Sequence, residues 1–485
     1  MYLGLDLGTS GLKAILTGEA GAILGTADAQ YDNPHPRTGW SEQDPADWIT
    51  ACETVLDALA AAHPRQMKDL RGIGLSGHMH GATLLDASDA VLRPCILWND
   101  TRAAGEAAAL DTTAGIREVT GNIVFPGFTA PKLLWVEREE PEIWAKIAKV
   151  LLPKDYLRLW LTGAHIGDMS DCAGTAWLDV GARDWSDAAL EAGHMRRDQM
   201  PALVEGSAEG GRLRDVLRSR WGVAGPVIVA GGGGDNAAAA CGAGCFAEGQ
   251  GFVSLGTSGV LLAAKAGYAP DPASAVHTFC HAVPDTWYQM GVILSATDSL
   301  NWLSRQTGRK ASDLAGMLPE TAQGPGDLTF LPYLSGERTP HNDAALRGAL
   351  IGLDVAHEPA DLTRAVVEGV GFAMRDCLEA LRGTGTALNS VLAMGGGARS
   401  RYWLESLAST LNLPLQVPAG GEFGAALGAA RLGIAAATGG DPADIMTPPP
   451  VAETIEPVPE LVPRYDAAWQ TYRALVPAIR DAQAG

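Results

Sequence analysis

The pentapeptide Leu-Gly-Thr-Ser-Gly occurs twice in this chain of 485 residues, at 7–11 and at 255–259. Each copy lies between two apolar, strand-like runs, of which the second spans 12–16 or 260–264. Two such runs joined by a glycine-flanked turn predict a β-hairpin whose tip exposes backbone N–H groups. Clusters of this kind hold phosphate oxygens without a basic side chain. The repeat therefore predicts a duplicated domain that closes on a polyphosphate from both sides. The candidate phosphate contacts are the turn residues Gly8, Thr9, Ser10, Gly256 and Thr257.

The two copies differ just before the pentapeptide, where Asp6 in the first corresponds to Ser254 in the second. Only the first turn has a carboxylate that could manage a metal ion. We predict that Asp6 orients Mg²⁺ through water, because Mg²⁺ tends to keep its hydration shell. The alternative is an aspartate that only caps the turn. The asymmetry favours a phosphoryl-transfer enzyme.

The net charge of −20 restricts the partners of the chain. Nucleic acids and anionic membranes both need a basic surface, so neither is expected to bind. An acidic protein must hold a polyphosphate through local N–H donors and a divalent cation. No Lys follows a Gly anywhere in the chain, which excludes a Walker A loop.

The seven cysteines form no CxxC pair, and the chain has neither a basic leader nor an apolar run of about 20 residues. We expect reduced thiols in a cytoplasmic protein. The segment 277–281, His-Thr-Phe-Cys-His, is the candidate for an alternative metal cluster. The sequence leaves a homodimer open as the assembly.

Strand-like and helical runs alternate along the chain, which indicates an α/β protein. A chain of this length is expected to form two large domains, which we place at 1–246 and 247–485. A helix is predicted over 44–62, with Asp44 as N-cap. From about 439 a proline-rich, irregular wrap leads to a last helix around 464–480. Buried strands are predicted at 72–75, 227–230 and 391–394.

A second candidate carboxylate, Asp235, follows the predicted strand 226–230 and the four glycines 231–234. Glycines allow a ligand to approach the backbone closely. A general base at Asp235 would accept the proton of an attacking alcohol. The alternative is an aspartate that only caps the helix beginning there.

Three further segments suggest a small-molecule site. Residues 77–81, Gly-His-Met-His-Gly, follow a strand and place polar rings between glycines. The segments 40–44 and 98–102, which include Asp100 and Arg102, would bind a polyhydroxylated ligand by stacking and hydrogen bonding, or are ordinary loops. The glycines of 395–398 would admit a flat ring and a ribose beside helix N–H groups, or form a tight strand-to-helix turn.

Long spaced patterns resemble the FGGY carbohydrate kinase family over essentially the whole chain. Residues 127–136 resemble its first signature, and 348–353, continued by 361–362 and 365–368, resemble its second. The resemblance implies two ribonuclease-H-like domains of the actin/hexokinase/Hsp70 type, with a deep cleft between them. The branch that acts on xylulose is indicated by the segments 40–45, 79–81, 153–156 and 334–341.

The resemblance also implies roles for single residues. Asp235 corresponds to the catalytic base, and Asp6 to the carboxylate that serves Mg²⁺ and the phosphates, with both near the metal. The implied sugar contacts are Met79, His80 and Asn236. The implied nucleotide contacts are Thr257, Gly396, Gly397 and Ala398. Two departures concern the pocket: His78 stands where relatives carry Gln, and four glycines precede Asp235 where three are usual.

The expected reaction is ATP-dependent phosphorylation of D-xylulose to D-xylulose 5-phosphate, with ketose and ATP as partners and ATP and Mg²⁺ as cofactors. A kinase for ribulose, glycerol or gluconate is the alternative within the class. An actin- or chaperone-like switch ATPase is the alternative from another class, because fold alone does not choose between them.

Overall fold

Two seven-stranded sheets, one in each half of the chain, form the centre of this computed structural model, which describes residues 1–420 and 424–484. The first sheet has the strand order Glu209–Arg212, Ile228–Ala230, Gly72–Gly77, Tyr2–Leu7, Gly11–Thr17 and Ile23–Gln30, with Gly233–Gly234 also paired to Gly72–Gly77. The second has the order His277–Cys280, Trp287–Ile293, Gly259–Lys265, Gly251–Leu255, Val391–Met394, Leu415–Pro418 and Val451–Ile455.

Helices and short strand pairs surround the sheets. The helices of the first half are Pro45–Ala62, Pro64–Lys68, Ala104–Asp111, Ile116–Thr120, Thr129–Glu139, Pro141–Trp144, Pro153–Thr162, Met169–Cys172, Asp187–Ala192, Asp215–Arg220 and Asp235–Ala243. Those of the second half are Thr297–Thr307, Ala311–Ala315, Pro359–Gly383, Arg401–Leu411, Ala425–Thr438, Pro442–Ile445 and Val462–Ala484. The 3₁₀ turns are Ala173–Thr175, Arg197–Gln199, Pro272–Ser274 and Gly396–Arg399. The small strand pairs are Glu42–Gln43 with Cys95–Ile96, Thr83–Leu85 with Lys149–Leu151, Ile166–Asp168 with Ala202–Val204, Leu178–Asp179 with Asp184–Trp185, and Thr329–Leu331 with Ala349–Ile351.

The elements predicted from local patterns are present. Both pentapeptides form the tips of antiparallel hairpins, which we name the N-terminal hairpin (2–17) and the C-terminal hairpin (251–265). The helix Pro45–Ala62 begins where predicted, and the Asp44 carboxylate accepts the N–H of Ala46 at 2.9 Å. The first helical position suits proline because its N–H would have no intrahelical partner there.

The prediction of an irregular wrap from about 439 is wrong in part. The segment contains the helix Pro442–Ile445 and the strand Val451–Ile455, which pairs antiparallel with Leu415–Pro418 at the edge of the second sheet. The prolines flank this edge strand, where they remove no ladder hydrogen bond. The last helix, Val462–Ala484, is longer at both ends than predicted.

The helix Ala425–Thr438 of the second half packs on the sheet of the first half. A side chain on Gly4 would collide with the carbonyl oxygen of Ala426, and one on Gly74 would collide with that of Ala429. Glycine is required at these positions because the two backbones nearly touch. Part of the first half's core therefore comes from the second half, and the boundary at 246/247 stays a prediction.

Within 1–420 and 424–484, no helix combines the length and the hydropathy that a membrane span needs. The seven cysteines are buried as free thiols.

We expect Gly74→Ala to lower the free energy of unfolding by about 3 kcal/mol, because the Ala429 carbonyl cannot move without displacing its helix. The matched control is Gly105→Ala, since an added Cβ there would have no atom within 4 Å outside its own stretch of helix, and helix propensity favours alanine by about 1 kcal/mol. Denaturant unfolding measures both variants. Equal stability of the two would contradict the close packing.

Candidate active site

The register of the first sheet brings the two predicted carboxylates to one edge. Strand Tyr2–Leu7 pairs parallel with Gly72–Gly77, with Asp6 opposite Ser76. Gly233 and Gly234 pair with the other side of Gly72–Gly77. Because parallel strands end at the same edge, Asp6 and the helix that begins at Asp235 lie at the mouth of one crevice.

The charge of Asp6 acts on the Asp235 carboxyl. Burial, and secondly the negative charge of Asp6, raise the pKa of Asp235 to about 7. Asn236 opposes this shift by donating its backbone N–H (2.7 Å) and its Nδ2 (2.9 Å) to one Asp235 oxygen. Burial also raises the pKa of Asp6, against the Ser76 hydroxyl and the charge of Lys13. Gly234 occupies the N-cap position, so Asp235 is not the N-cap of its helix.

A buried carboxylate whose pKa is raised by the charge of a second carboxylate fits a divalent cation, which would relieve the repulsion between them. In the part of the chain that the structure describes, no group of three or more His, Cys, Asp or Glu side chains is placed to hold a metal. A cation at Asp6 and Asp235 would therefore complete its coordination with water and with ligand oxygens.

His80 lies in the loop after strand Gly72–Gly77, in a left-handed conformation (φ 70°). Its carbonyl accepts from Lys132 Nζ (2.8 Å) and from the Thr129 hydroxyl (3.1 Å), which hold this backbone in place. Its ring stacks on Phe128 at 4.7 Å, and Nδ1 lies 2.6 Å from the carbonyl oxygen of Gly174. Burial lowers the pKa of His80 to about 3, so the ring is neutral. A carbonyl only accepts, so Nδ1 carries the proton and Nε2 remains an acceptor for a ligand hydroxyl.

Met79 joins this loop to the turn before Asp235. A side chain on Gly234 would lie 2.8 Å from Met79 Cγ, so the absence of one lets Met79 pack against this turn. The Met79 sulfur is 3.8 Å from the Tyr288 hydroxyl, which the second half supplies. The structure thus places Met79 next to the Asp235 turn, as the sugar-site prediction requires.

His78 points elsewhere. It is buried edge-on against Trp48 at 5.7 Å, and neither ring nitrogen has a hydrogen-bond partner among the described residues. Burial lowers its pKa to about 3.

The structure places Asp100 and Arg102 in a buried network. Arg102 donates to Asp100 from Nε (2.9 Å) and Nη2 (2.7 Å), and its Nη1 lies 2.7 Å from Glu42. Its guanidinium stacks over Trp40 at 3.6 Å. Both charged side chains are 1% exposed. Their bonds are directed within the protein, so direct ligand contact by Asp100 and Arg102 stays a prediction.

This network supports a loop that reaches the first hydroxyl turn. Trp98, in the same loop, is 44% exposed and donates its Nε1–H to the Thr9 hydroxyl at 3.0 Å. Within the turn, the Gly8 N–H donates to the Gly11 carbonyl at 3.0 Å, and Ser10 is exposed. Tyr31, which sequence reasoning missed, donates its hydroxyl to the Gly8 carbonyl.

The second hydroxyl turn lies beside the glycine turn at 395–398. Strand Gly251–Leu255 is parallel to Val391–Met394, with Ser254 opposite Met394. The backbone N–H of Thr297 holds the Gly256 carbonyl at 2.9 Å, and that of Ala296 holds the Thr257 carbonyl at 2.8 Å. Gly395 has φ 87°, and a side chain there would lie 2.7 Å from the Leu255 carbonyl.

The next three residues, Gly396, Gly397 and Ala398, begin a 3₁₀ turn that ends at Arg399. Gly396 is exposed, and a Cβ added to it would have no atom within 4 Å apart from those of its own stretch of chain. The helix that follows this turn begins at Arg401, with Ser400 as its cap. The open backbone at Gly396 gives a flat ligand room to approach.

A cavity of about 300 Å³ opens between the two halves beside the Trp98 loop. Trp98 and Phe125 line it from the first half, and Arg338 and Asn342 line it from the second. Arg338 stacks on Phe125 at 4.6 Å and was missed by sequence reasoning, although it belongs to the quoted segment 334–341.

Comparisons with known proteins decide the family. The model of the FGGY carbohydrate kinase N-terminal domain matches residues 1–242, and that of the C-terminal domain matches 251–437. The chain belongs to the FGGY family of carbohydrate kinases. Recognition of this family from the sequence motifs is thereby confirmed, and the protein is a carbohydrate kinase. Use of ATP follows from membership of this kinase family.

Among its FGGY relatives, the xylulose kinase of Escherichia coli (strain K12) is 47% identical over 480 residues, covering 98% of each chain. That of Klebsiella pneumoniae is 47% identical over 470 residues, covering 96% of each. A crystal structure described as a "xyloylose kinase" from Brucella ovis is 59% identical, with a TM-score of 0.98 and 99% of both chains covered. The predicted α/β actin/hexokinase-like fold is confirmed.

If Asp235 is the general base, as predicted, kcat/KM for the sugar should fall as the pH drops through about 7, because a base must be ionised and burial beside Asp6 raises its pKa to about that value. Initial rates from about pH 5.5 to 8.5 measure the profile. Asp6→Asn removes the neighbouring negative charge, so the residual activity of that variant should titrate at lower pH. A flat wild-type profile over this range would contradict the assignment.

Proposed function

We propose that this kinase transfers the γ-phosphoryl group of ATP to the 5-hydroxyl of D-xylulose, giving D-xylulose 5-phosphate and ADP. The observation that carries the proposal is the 47% identity over nearly the full length to xylulose kinases. The site is consistent with this proposal. The His80 ring is neutral, so its Nε2 can accept a hydrogen bond, and the pKa of Asp235, about 7, suits a general base. Both residues lie at one crevice.

The proposed binding mode divides the ligands between the halves. The ketose binds the first domain (1–246) through Met79, His80 and Asn236. ATP binds the second domain (247–485), and its phosphates lie between the two hydroxyl turns. The proposed nucleotide and phosphate contacts are Gly8, Thr9, Ser10, Gly256, Thr257, Gly396, Gly397 and Ala398.

The proposed chemistry is an in-line displacement at phosphorus. Asp235 accepts the proton of the sugar hydroxyl, the hydroxyl oxygen forms a bond to the γ-phosphorus, and the bond from the γ-phosphorus to the bridging oxygen of ADP breaks. His80 Nε2 accepts a ketose hydroxyl and fixes the orientation of the sugar. Mg²⁺ held by Asp6 and Asp235, mostly through water, would supply neutralisation of the phosphate charge.

We also infer a cytoplasmic location and small-molecule partners alone, without nucleic acid or membrane, in line with the net charge of −20. A homodimer stays a prediction.

The function is tested by ADP release from ATP with a panel of D-xylulose, D-ribulose, L-ribulose, glycerol and gluconate, with a no-sugar control. We expect kcat/KM for D-xylulose to exceed the others by at least about 100-fold, since a site built for particular hydroxyls rejects analogues that lack them or hold them in another configuration. A preference for another acceptor would overturn the substrate assignment. ADP release that ignores sugar would indicate a switch ATPase instead.

We expect Asp235→Ala to lower kcat about 1,000-fold while ATP affinity changes less than about threefold, because the general base acts on the sugar and not on the nucleotide. Asp215→Ala is the matched control, since Asp215 is also the first residue of a helix but is 88% exposed and pairs with Arg218. Coupled kinetics and calorimetry measure both variants. Turnover within tenfold of wild type would refute the base assignment.

A further inference from the structure

The turn Gly231–Gly234, which delivers Asp235 to the site, has no side chains with which to hold its own shape. Gly232 is left-handed (φ 76°), and a side chain there would collide with the Leu75 carbonyl. A side chain on Gly231 would collide with the Glu205 carbonyl. The crowding requires glycine, but glycine also has the greatest backbone freedom. Other parts of the chain must therefore fix this turn.

A fully buried group of charged side chains lies directly behind the turn. We name it the charged cluster; its members are Lys154, Asp155, Arg158, Asp168 and Asp171, each 0% exposed. Lys154 Nζ lies 2.5 Å from Asp155, 3.2 Å from Asp168 and 3.1 Å from Asp171. Arg158 Nη2 lies 2.8 Å from Asp155. The mechanism proposed above uses none of these residues.

The charged cluster is balanced if one carboxyl is protonated. It has two cations and three carboxyl groups, and burial raises the pKa of Asp171 well above its usual value. With Asp171 neutral, Lys154 and Arg158 balance Asp155 and Asp168. A buried ion network of this kind is weak evidence for stability, because desolvation offsets much of the attraction. Its contacts with the turn suggest another purpose.

Two connections run from the charged cluster to the ends of the glycine turn. Arg158 Nη2 donates to the Gly231 carbonyl, while its Nη1 donates to the Ile166 carbonyl at 2.6 Å. At the other end, the Gly234 N–H donates to the Ser170 hydroxyl at 3.2 Å, and that hydroxyl donates to Asp168 at 2.6 Å. Gly231 is thus hydrogen-bonded to the charged cluster directly, and Gly234 is connected to it through Ser170.

The chain that follows Ser170 also contacts His80. The segment after Ser170 forms the 3₁₀ turn Ala173–Thr175, and its Gly174 carbonyl accepts from Nδ1 of His80 at 2.6 Å. One short stretch, 170–174, therefore contacts both the turn that carries Asp235 and the ring that faces the sugar. The relative position of these two groups depends on it.

We propose that the charged cluster, acting through Arg158 and Ser170, fixes the glycine turn and so aims the Asp235 carboxylate at the reacting hydroxyl. Arg158 and Ser170 are positioning residues, because each touches the turn and not the substrate. The inference rests on the function proposed above. A displacement of about 1 Å in a reacting group can lower the rate by about 100-fold, so a loosened turn should affect turnover far more than binding.

Ser170→Ala tests the inference, because it removes only the hydroxyl that joins Gly234 to Asp168. We expect kcat to fall between about 10- and 100-fold, with ketose KM and ATP affinity within about threefold of wild type. Ser409→Ala is the matched control: Ser409 is 1% exposed, and its hydroxyl also accepts a backbone N–H, from Val458 at 3.1 Å, in the other half of the molecule. Its kcat should match that of wild type.

Steady-state kinetics, calorimetry with ATP and thermal unfolding are measured on both serine variants. A folded Ser170→Ala enzyme with kcat within twofold of wild type would overturn the inference, as would an equal loss of kcat in Ser409→Ala. If Ser170→Ala does not fold, Arg158→Lys takes its place: it keeps the charge but loses the two-pronged reach to Gly231 and Ile166, and should show the same split between kcat and KM. An unchanged kcat in that variant also overturns the inference.

Failure of the proposed function gives a different result. The variants are compared on the sugar that wild type phosphorylates best, so a preference for a sugar other than D-xylulose overturns the substrate assignment and leaves this test intact.

Discussion

The contact between the helix Ala425–Thr438 and the first sheet determines where the functional groups lie. Gly4 and Gly74 allow the helix backbone to approach the strands that end at Asp6 and Ser76. On its other side, Gly428 of the same helix meets the carbonyl of Ala238, within the helix that begins at Asp235. The strand that carries Asp6 and the helix that carries Asp235 are therefore set against one common element, which the second half contributes.

Buried carboxyl groups occur in two neighbouring places, and their charged neighbours differ between the two. In the charged cluster, Lys154 and Arg158 compensate Asp155 and Asp168, and the side chains are 0% exposed. At the cleft, Asp235 has Asp6 as a neighbour and Asn236 as its hydrogen-bond donor. The first arrangement is complete within the protein and holds a shape. The second carries excess negative charge, which suits a site that takes up a proton and a cation.

The features that the sequence predicts well are those that depend on short stretches. The repeated pentapeptide predicts both hairpins because the turn and its flanking apolar runs are contiguous. The helix Pro45–Ala62 follows from a capping aspartate, a proline and one apolar stripe. The joint placement of Asp6 and Asp235 is implied by the family resemblance and not by a local pattern; in the structure it follows from parallel strands that end at one edge.

Features that depend on distant partners could not be predicted. The pattern around Arg102 resembles a ligand-binding loop, and only the fold shows that Glu42 and Trp40 engage its guanidinium. The edge strand Val451–Ile455 follows a run of prolines and is exposed along most of its length, so it lacks the apolar alternation of a typical strand. Lys154 and Asp155 lie in a segment quoted for its family resemblance, but Asp168, 13 positions after Asp155, has no sequence signal that links it to them.

The glycine contacts beneath the cleft also restrict how the halves can move. Interlocked backbones at Gly4, Gly74 and Gly428 resist sliding, because any translation would drive carbonyl oxygens into neighbouring chain. Of the two usual modes of interdomain motion, shear at this contact is thus disfavoured relative to hinge rotation.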